Sequence, residues 1–161
     1  MKCFEKLRNP KASPLKCDTN FYPYSMTFLN GVILLHRPDL RKGDFERNMA
    51  NQHCRDAAFQ ITAILKTLTQ TFGHSIPDSM VVYSTLSAGL IHMIALQSTD
   101  ASFYRRSLRA LKSIISTLAQ MMPHIGYAKV AYDDLRSFAM KWSLSPANSP
   151  AFWSISNTDT C

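Results

Sequence analysis

Leu34-Leu35-His36-Arg37-Pro38 closes an apolar run that begins near Phe28. Read backwards, Phe21, Tyr24, Phe28, Val32 and Leu35 recur at steps of three and four, the spacing of one helical face. Pro38 stops that helix, because a proline pushes the residue before it out of the helical region. The pattern predicts a helix from about Pro23 to Arg37. Gly31 inside it costs ~1 kcal/mol against alanine, a sacrifice that often marks the close approach of a neighbouring helix.

The same period continues along the chain. A polar loop over 38–46 contains Gly43, and Asp44 is placed to cap a second helix. Cys54, Ala57, Ala58, Ile61, Ile64, Leu65 and Leu68 form its apolar face, and Gly73 is placed to end it. Ser75-Ile76-Pro77-Asp78 reads as the start of a third helix: a serine cap, a proline in the first turn and an acid three residues on. Its body, Met80 to Gln97, is apolar almost all round, which predicts a central helix covered on several sides. His92 within it reads as a core or rim residue.

Thr99 or Asp100 can cap a fourth helix with a stripe of Tyr104, Leu108, Leu111, Ile115, Leu118 and Met122, ended by Pro123. A fifth, about Tyr127 to Trp142, repeats the pattern through Ala128, Ala131, Leu135 and Phe138. The expected architecture is all-α: about five helices in an irregular bundle with flexible termini. Residues 1–22 read as a basic irregular lead-in, 23–142 as the helical domain and 143–161 as an irregular tail. In that tail Phe152-Trp153 either docks back or belongs to something longer.

Composition agrees with one folded domain: 161 residues, 46% hydrophobic and 18% charged. The start lacks the apolar core of a secretory signal and no apolar run approaches a membrane span, so an intracellular chain without membrane contact is expected. Cys3, Cys17, Cys54 and Cys161 show neither Cys-x-x-Cys nor finger spacing. Cys54 reads as a small buried hydrophobe. The net charge of +7 is concentrated in residues 1–24 and 101–142. Such a balance permits contact with nucleic acid or acidic proteins without requiring it.

Motifs for chemistry are wanting. There is no glycine-rich phosphate loop, Gly-x-Ser-x-Gly elbow or His-Glu-x-x-His, and the five histidines are scattered. Asp133-Asp134 stands without further acids and reads as a solvated helix face. The expectation is that the chain is not an enzyme, has no catalytic or metal-binding residues and uses no cofactor. Arg105, Arg106, Arg109 and Lys112 make the best candidate partner surface, against the plainer reading of a solvated face; no groove-entering motif for DNA accompanies them.

The Leu34-Leu35-His36-Arg37-Pro38 segment, a polar loop and then a helix with Cys54-x-x-Ala57-Ala58-x-x-Ile61 together resemble the regulatory middle region of fungal-specific transcription factors. The resemblance runs from about Phe21 to Trp142 and covers the carboxyl-terminal part of that region. Ser87-Ala88-Gly89-Leu90 looks like its next helix, and Leu108 to Trp142 its two closing ones. It implies a nuclear regulatory region that controls transcription through intramolecular, effector or partner contacts, with protein partners or self-association. The family's zinc belongs to a six-cysteine DNA-binding module that this sequence lacks, so zinc and DNA contact would come only through that module. The alternative is a helical interaction adaptor or scaffold with no link to DNA.

Two structural expectations follow. Arg37 should turn its guanidinium toward carbonyls or a carboxylate such as Asp39, Asp44 or Asp56. If the helices are part of a larger region, the face carrying Phe21, Tyr24, Phe28, Val32 and Leu35 should be left exposed, and the surroundings of Phe152-Trp153 with it.

Overall fold

A computed structural model describes residues 21–40, 48–74, 78–144 and 150–153. Among them the elements are α1 (Phe21–His36), a 3-10 turn (Arg37–Asp39), α2 (Met49–Phe72), α3 (Ser79–Ala95), α4 (Ala101–Met121), α5 (Gly126–Lys141) and a short α6 (Pro150–Trp153). No strand occurs among the described residues. The fold is all-α, with five long helices packed on one another.

The caps show why the helices start where they do. Asn48 accepts from the Ala50 amide at 2.9 Å, Asp78 from Met80 at 2.8 Å and Asp100 from Ser102 at 2.8 Å. Each satisfies one of the amides that the first turn leaves without a partner. Asp78, expected inside the third helix, is instead its cap; Ser75 and Pro77 lie outside the described residues, as do Gly43 and Asp44. Asn48 also donates to the Asp39 carbonyl at 3.1 Å, tying the start of α2 to the 3-10 turn. Gly73 ends α2 with φ at 74°, a value a side chain would strain.

Helix α3 is the centre. It packs against α1, α2, α4 and α5, as its apolar circumference predicts. Val81, Val82, Ala88, Ile91 and Met93 are buried on its several sides, together with Ser84 and Thr85. At Gly89 an added Cβ would lie 2.9 Å from Leu135 Cδ2 and 3.6 Å from Ile114 Cγ2, so glycine lets α5 seat against α3. The stripe of α4 is centred differently from expectation. Leu111, Ile115 and Leu118 are buried, but Tyr104, Leu108 and Met122 are half-buried, and Ser107, Ala110 and Ile114 face inward instead. The small residues allow α4 a closer approach.

Both domain boundaries shift outward. Phe21 and Tyr22 are already helical. At the other end Leu144 and Trp153 join the core, and the Tyr132 hydroxyl donates to the Trp153 carbonyl at 2.7 Å. Phe152-Trp153 therefore docks back; the rest of the expected lead-in and tail lies outside the described residues.

Helix α1 bears the expected exposure on three of the five residues named for it. Its core face is Met26, Leu29, Asn30 and Ile33. Of the five residues that announce the helix, Tyr24, Phe28 and Leu35 point the other way, 74%, 67% and 73% exposed; Phe21 is half-buried, and Val32 is half-buried against the core. The exposure expected of that face is present. Gly31 lies on it too, exposed, with nothing within 4 Å of where a Cβ would stand. Among the described residues no neighbouring helix makes the close approach expected at this glycine. Gly31→Ala is accordingly expected to stabilise the fold by about 0.5–1 kcal/mol through helix propensity alone. Urea unfolding at high dilution measures it.

Candidate functional site

The two segments that carry the family resemblance meet. Cys54 of α2 is fully buried, and its thiol points at the Ile33 carbonyl of α1 at 3.7 Å. Burial pushes that thiol up to about 11, because a thiolate would lose its hydration there. Cys54 is thus a packed, unreactive side chain, with Ala57, Ala58 and Ile61 buried along the same face. One turn further out, the rings of His36 and His53 stack with centroids 5.1 Å apart.

Beyond that contact the Leu-Leu-His-Arg-Pro segment opens onto a groove. It is lined by Leu34 and Leu40, by Leu90 and Ile94 of α3, by Phe138 of α5 and by Trp142 just past its end. Two polar residues, Ser87 and Arg37, complete this apolar lining. Leu35 and Pro38 are exposed outside it.

Arg37 departs from expectation. Its side chain makes no hydrogen bond or ion pair with any described residue; Asp39 and Asp56 are both described, and Asp44 is not. The 3-10 turn explains this. Its own bond, Leu40 N–H to the Arg37 carbonyl at 3.3 Å, closes the helix end in place of the arginine side chain. Asp56 meanwhile lies 3.8 Å from Arg55. The result is an exposed cation beside an apolar groove. Such a site suits an apolar group that carries an anionic one, since guanidinium–carboxylate bonds are directional and charge-assisted.

The members of the basic group on α4 differ in their contacts. Arg105, Arg106, Arg109 and Lys112 are all exposed. Arg105 Nε turns back to the Ala101 carbonyl at 3.2 Å. Arg106 lies flat over the Phe59 ring, 4.0 Å from its centre, and Lys112 sits 5.8 Å from that of Phe152. Three of the four are therefore held by their own fold, through backbone or cation–π contact. Arg109 alone has no bonded partner among the described residues.

Of the two places the sequence allowed His92, core or rim, the structure gives the core, with a hydrogen bond. It is 1% exposed, with Nε2 3.0 Å from Thr62 Oγ1 and its ring 4.7 Å from Phe59. Thr62 Oγ1 in turn donates to the Ala58 carbonyl at 2.9 Å. With the hydroxyl proton spent there, Nε2 is the nitrogen that carries a hydrogen. Burial lowers the imidazole pKa to about 4; a backbone bond at Ala58 opposes this and the Arg106 charge adds to it. Asp133 is engaged with Lys129 at 2.7 Å, one turn away, as a solvated face allows.

No group of three or more histidine, cysteine or acidic side chains stands together among the described residues. No described helix is long and apolar enough to cross a membrane. Comparison with protein-family models, with curated proteins and with solved structures finds no match to this chain.

Proposed function

We propose that the chain is a regulatory region of a fungal transcription factor, acting in the nucleus through intramolecular, effector or partner contacts. It carries no zinc-cluster DNA-binding module of its own in this reading, and it works by binding rather than by catalysis. The observation that supports this is the meeting of its two characteristic segments. Ile33, the residue just before the Leu34 to Pro38 segment, shares one buried contact with Cys54 of the Cys54 to Ile61 segment, and the Arg37 groove opens from it. Effector or partner contact is assigned to that groove, with Arg37 taking an anionic group.

The test is transcriptional. The full chain is tethered to a heterologous DNA-binding module above a reporter in a fungal cell, alongside its Arg37→Glu variant. A severalfold change in reporter output, lost in the variant, is expected. No change from a folded, nuclear wild-type fusion overturns the reading.

The adaptor reading has its own support in the outward apolar stripe of α1, which needs no DNA link to be useful. It predicts partner capture with no effect on the reporter.

A further inference from the structure

We propose that a second copy of this chain docks on the outward face of α1, the two helices crossing at Gly31. The proposal is independent of the transcriptional reading.

Phe21, Tyr24, Phe28, Gly31 and Leu35 follow one another at steps of three, four, three and four. That is the 3.5-residue seam along which two helices interlock side chains. The seam lies opposite the face made by Met26, Leu29 and Ile33, so packing within the fold does not use it. Tyr24, Phe28 and Leu35 accordingly remain about 70% exposed.

Gly31 is the second, independent observation. Its φ is not positive, so its backbone conformation is open to any residue. What glycine offers there is a missing Cβ, useful only where another backbone comes close. No described residue lies within 4 Å of that point. A second copy supplies the close approach, and the middle of the exposed seam is where two crossing helices would be nearest.

Charge and area choose the occupant. The chain has a net charge of +7, yet the sixteen residues of α1 include no lysine, arginine, aspartate or glutamate. An acidic partner would find nothing to pair with on this face. A second copy finds a seam of its own spacing, and no like charges meet across a two-fold axis. With aromatic side chains contributing about 150–250 Å² each, the stripe offers on the order of 500 Å², a large part of the ~800 Å² per partner of a standard interface. Where the axis passes Gly31, the two glycines face each other.

Sedimentation velocity of the full chain across a wide concentration range tests this. Wild type is expected to form a concentration-dependent dimer, and Phe28→Asp to be monomeric with an unchanged circular dichroism spectrum. Gly31→Leu is expected to weaken the dimer about tenfold or more while raising the unfolding midpoint of dilute protein, opposite effects that a folding defect cannot produce. Arg109→Asp, on α4, leaves the dimer unchanged. Gly31→Cys, oxidised, cross-links two chains. A monomeric wild type overturns the proposal, as does a Phe28→Asp or Gly31→Leu chain that dimerises as well as wild type.

Discussion

Leu135→Ala is expected to destabilise the fold by about 3–4 kcal/mol and to reverse the effect of adding a methyl group at Gly89. Leu135 is fully buried between α5 and α3, so its removal forfeits transfer energy and leaves a cavity that rigid helices close only in part. In the wild type, Gly89→Ala places a Cβ 2.9 Å from Leu135 Cδ2. The leucine must move within a packed core, at about 1–3 kcal/mol, which exceeds the ~1 kcal/mol that alanine gains in helix propensity. Once Leu135 is alanine the obstruction is gone, and Gly89→Ala should stabilise by about 1 kcal/mol. Four urea titrations around this cycle measure the coupling. Equal effects of Gly89→Ala in both backgrounds would refute the contact.

The second large effect is acid sensitivity through His92. Above pH 6.5 its ring is neutral in folded and unfolded chains alike. Between 6.5 and about 4 the unfolded chain takes up a proton that the buried ring refuses, so stability falls as pH falls. The loss from this group should reach roughly 2 kcal/mol at pH 5 and on the order of 3 kcal/mol at pH 4. His92→Gln keeps a donor toward Thr62 but cannot titrate. Its stability should therefore change by about 2 kcal/mol less than wild type between pH 7 and pH 5. Parallel pH profiles for the two chains would contradict the assignment.

How far the fold was legible depends on what each signal measures. Apolar periodicity located all five long helices because it reports the face of a helix directly. Which face turns inward is a different question, and α1 shows the difference. A helix without charged residues has no polar side to mark its exterior. The polar Asn30 went inside and Phe28 stayed out, an inversion that only tertiary contacts decide. On α2 the apolar face named from the sequence, Cys54, Ala57, Ala58 and Ile61, is the buried one, with exposed polar residues such as Gln60 and Lys66 on the other side.

The candidate site was legible in its parts and not in its assembly. The Arg37 segment and the Cys54 segment stand out in the sequence, but their contact closes a loop of about twenty residues. That the Arg37 side chain has no partner among the described residues goes with a 3-10 turn, which periodicity does not resolve. The basic group on α4 looked uniform because sequence records charge and not the ring beneath it. Phe59 lies 47 residues before the Arg106 that covers it.

The central position of α3 has a consequence during synthesis. When residues 79–95 leave the ribosome, α1 and α2 are already available to cover one side of them. The other side must wait for α4 and α5, which follow in 101–141. For that interval the nascent chain displays an apolar helix half dressed, the kind of surface that chaperones hold and that aggregates when crowded. The helix that makes the finished fold cohere is also the one whose unfinished state most needs shelter.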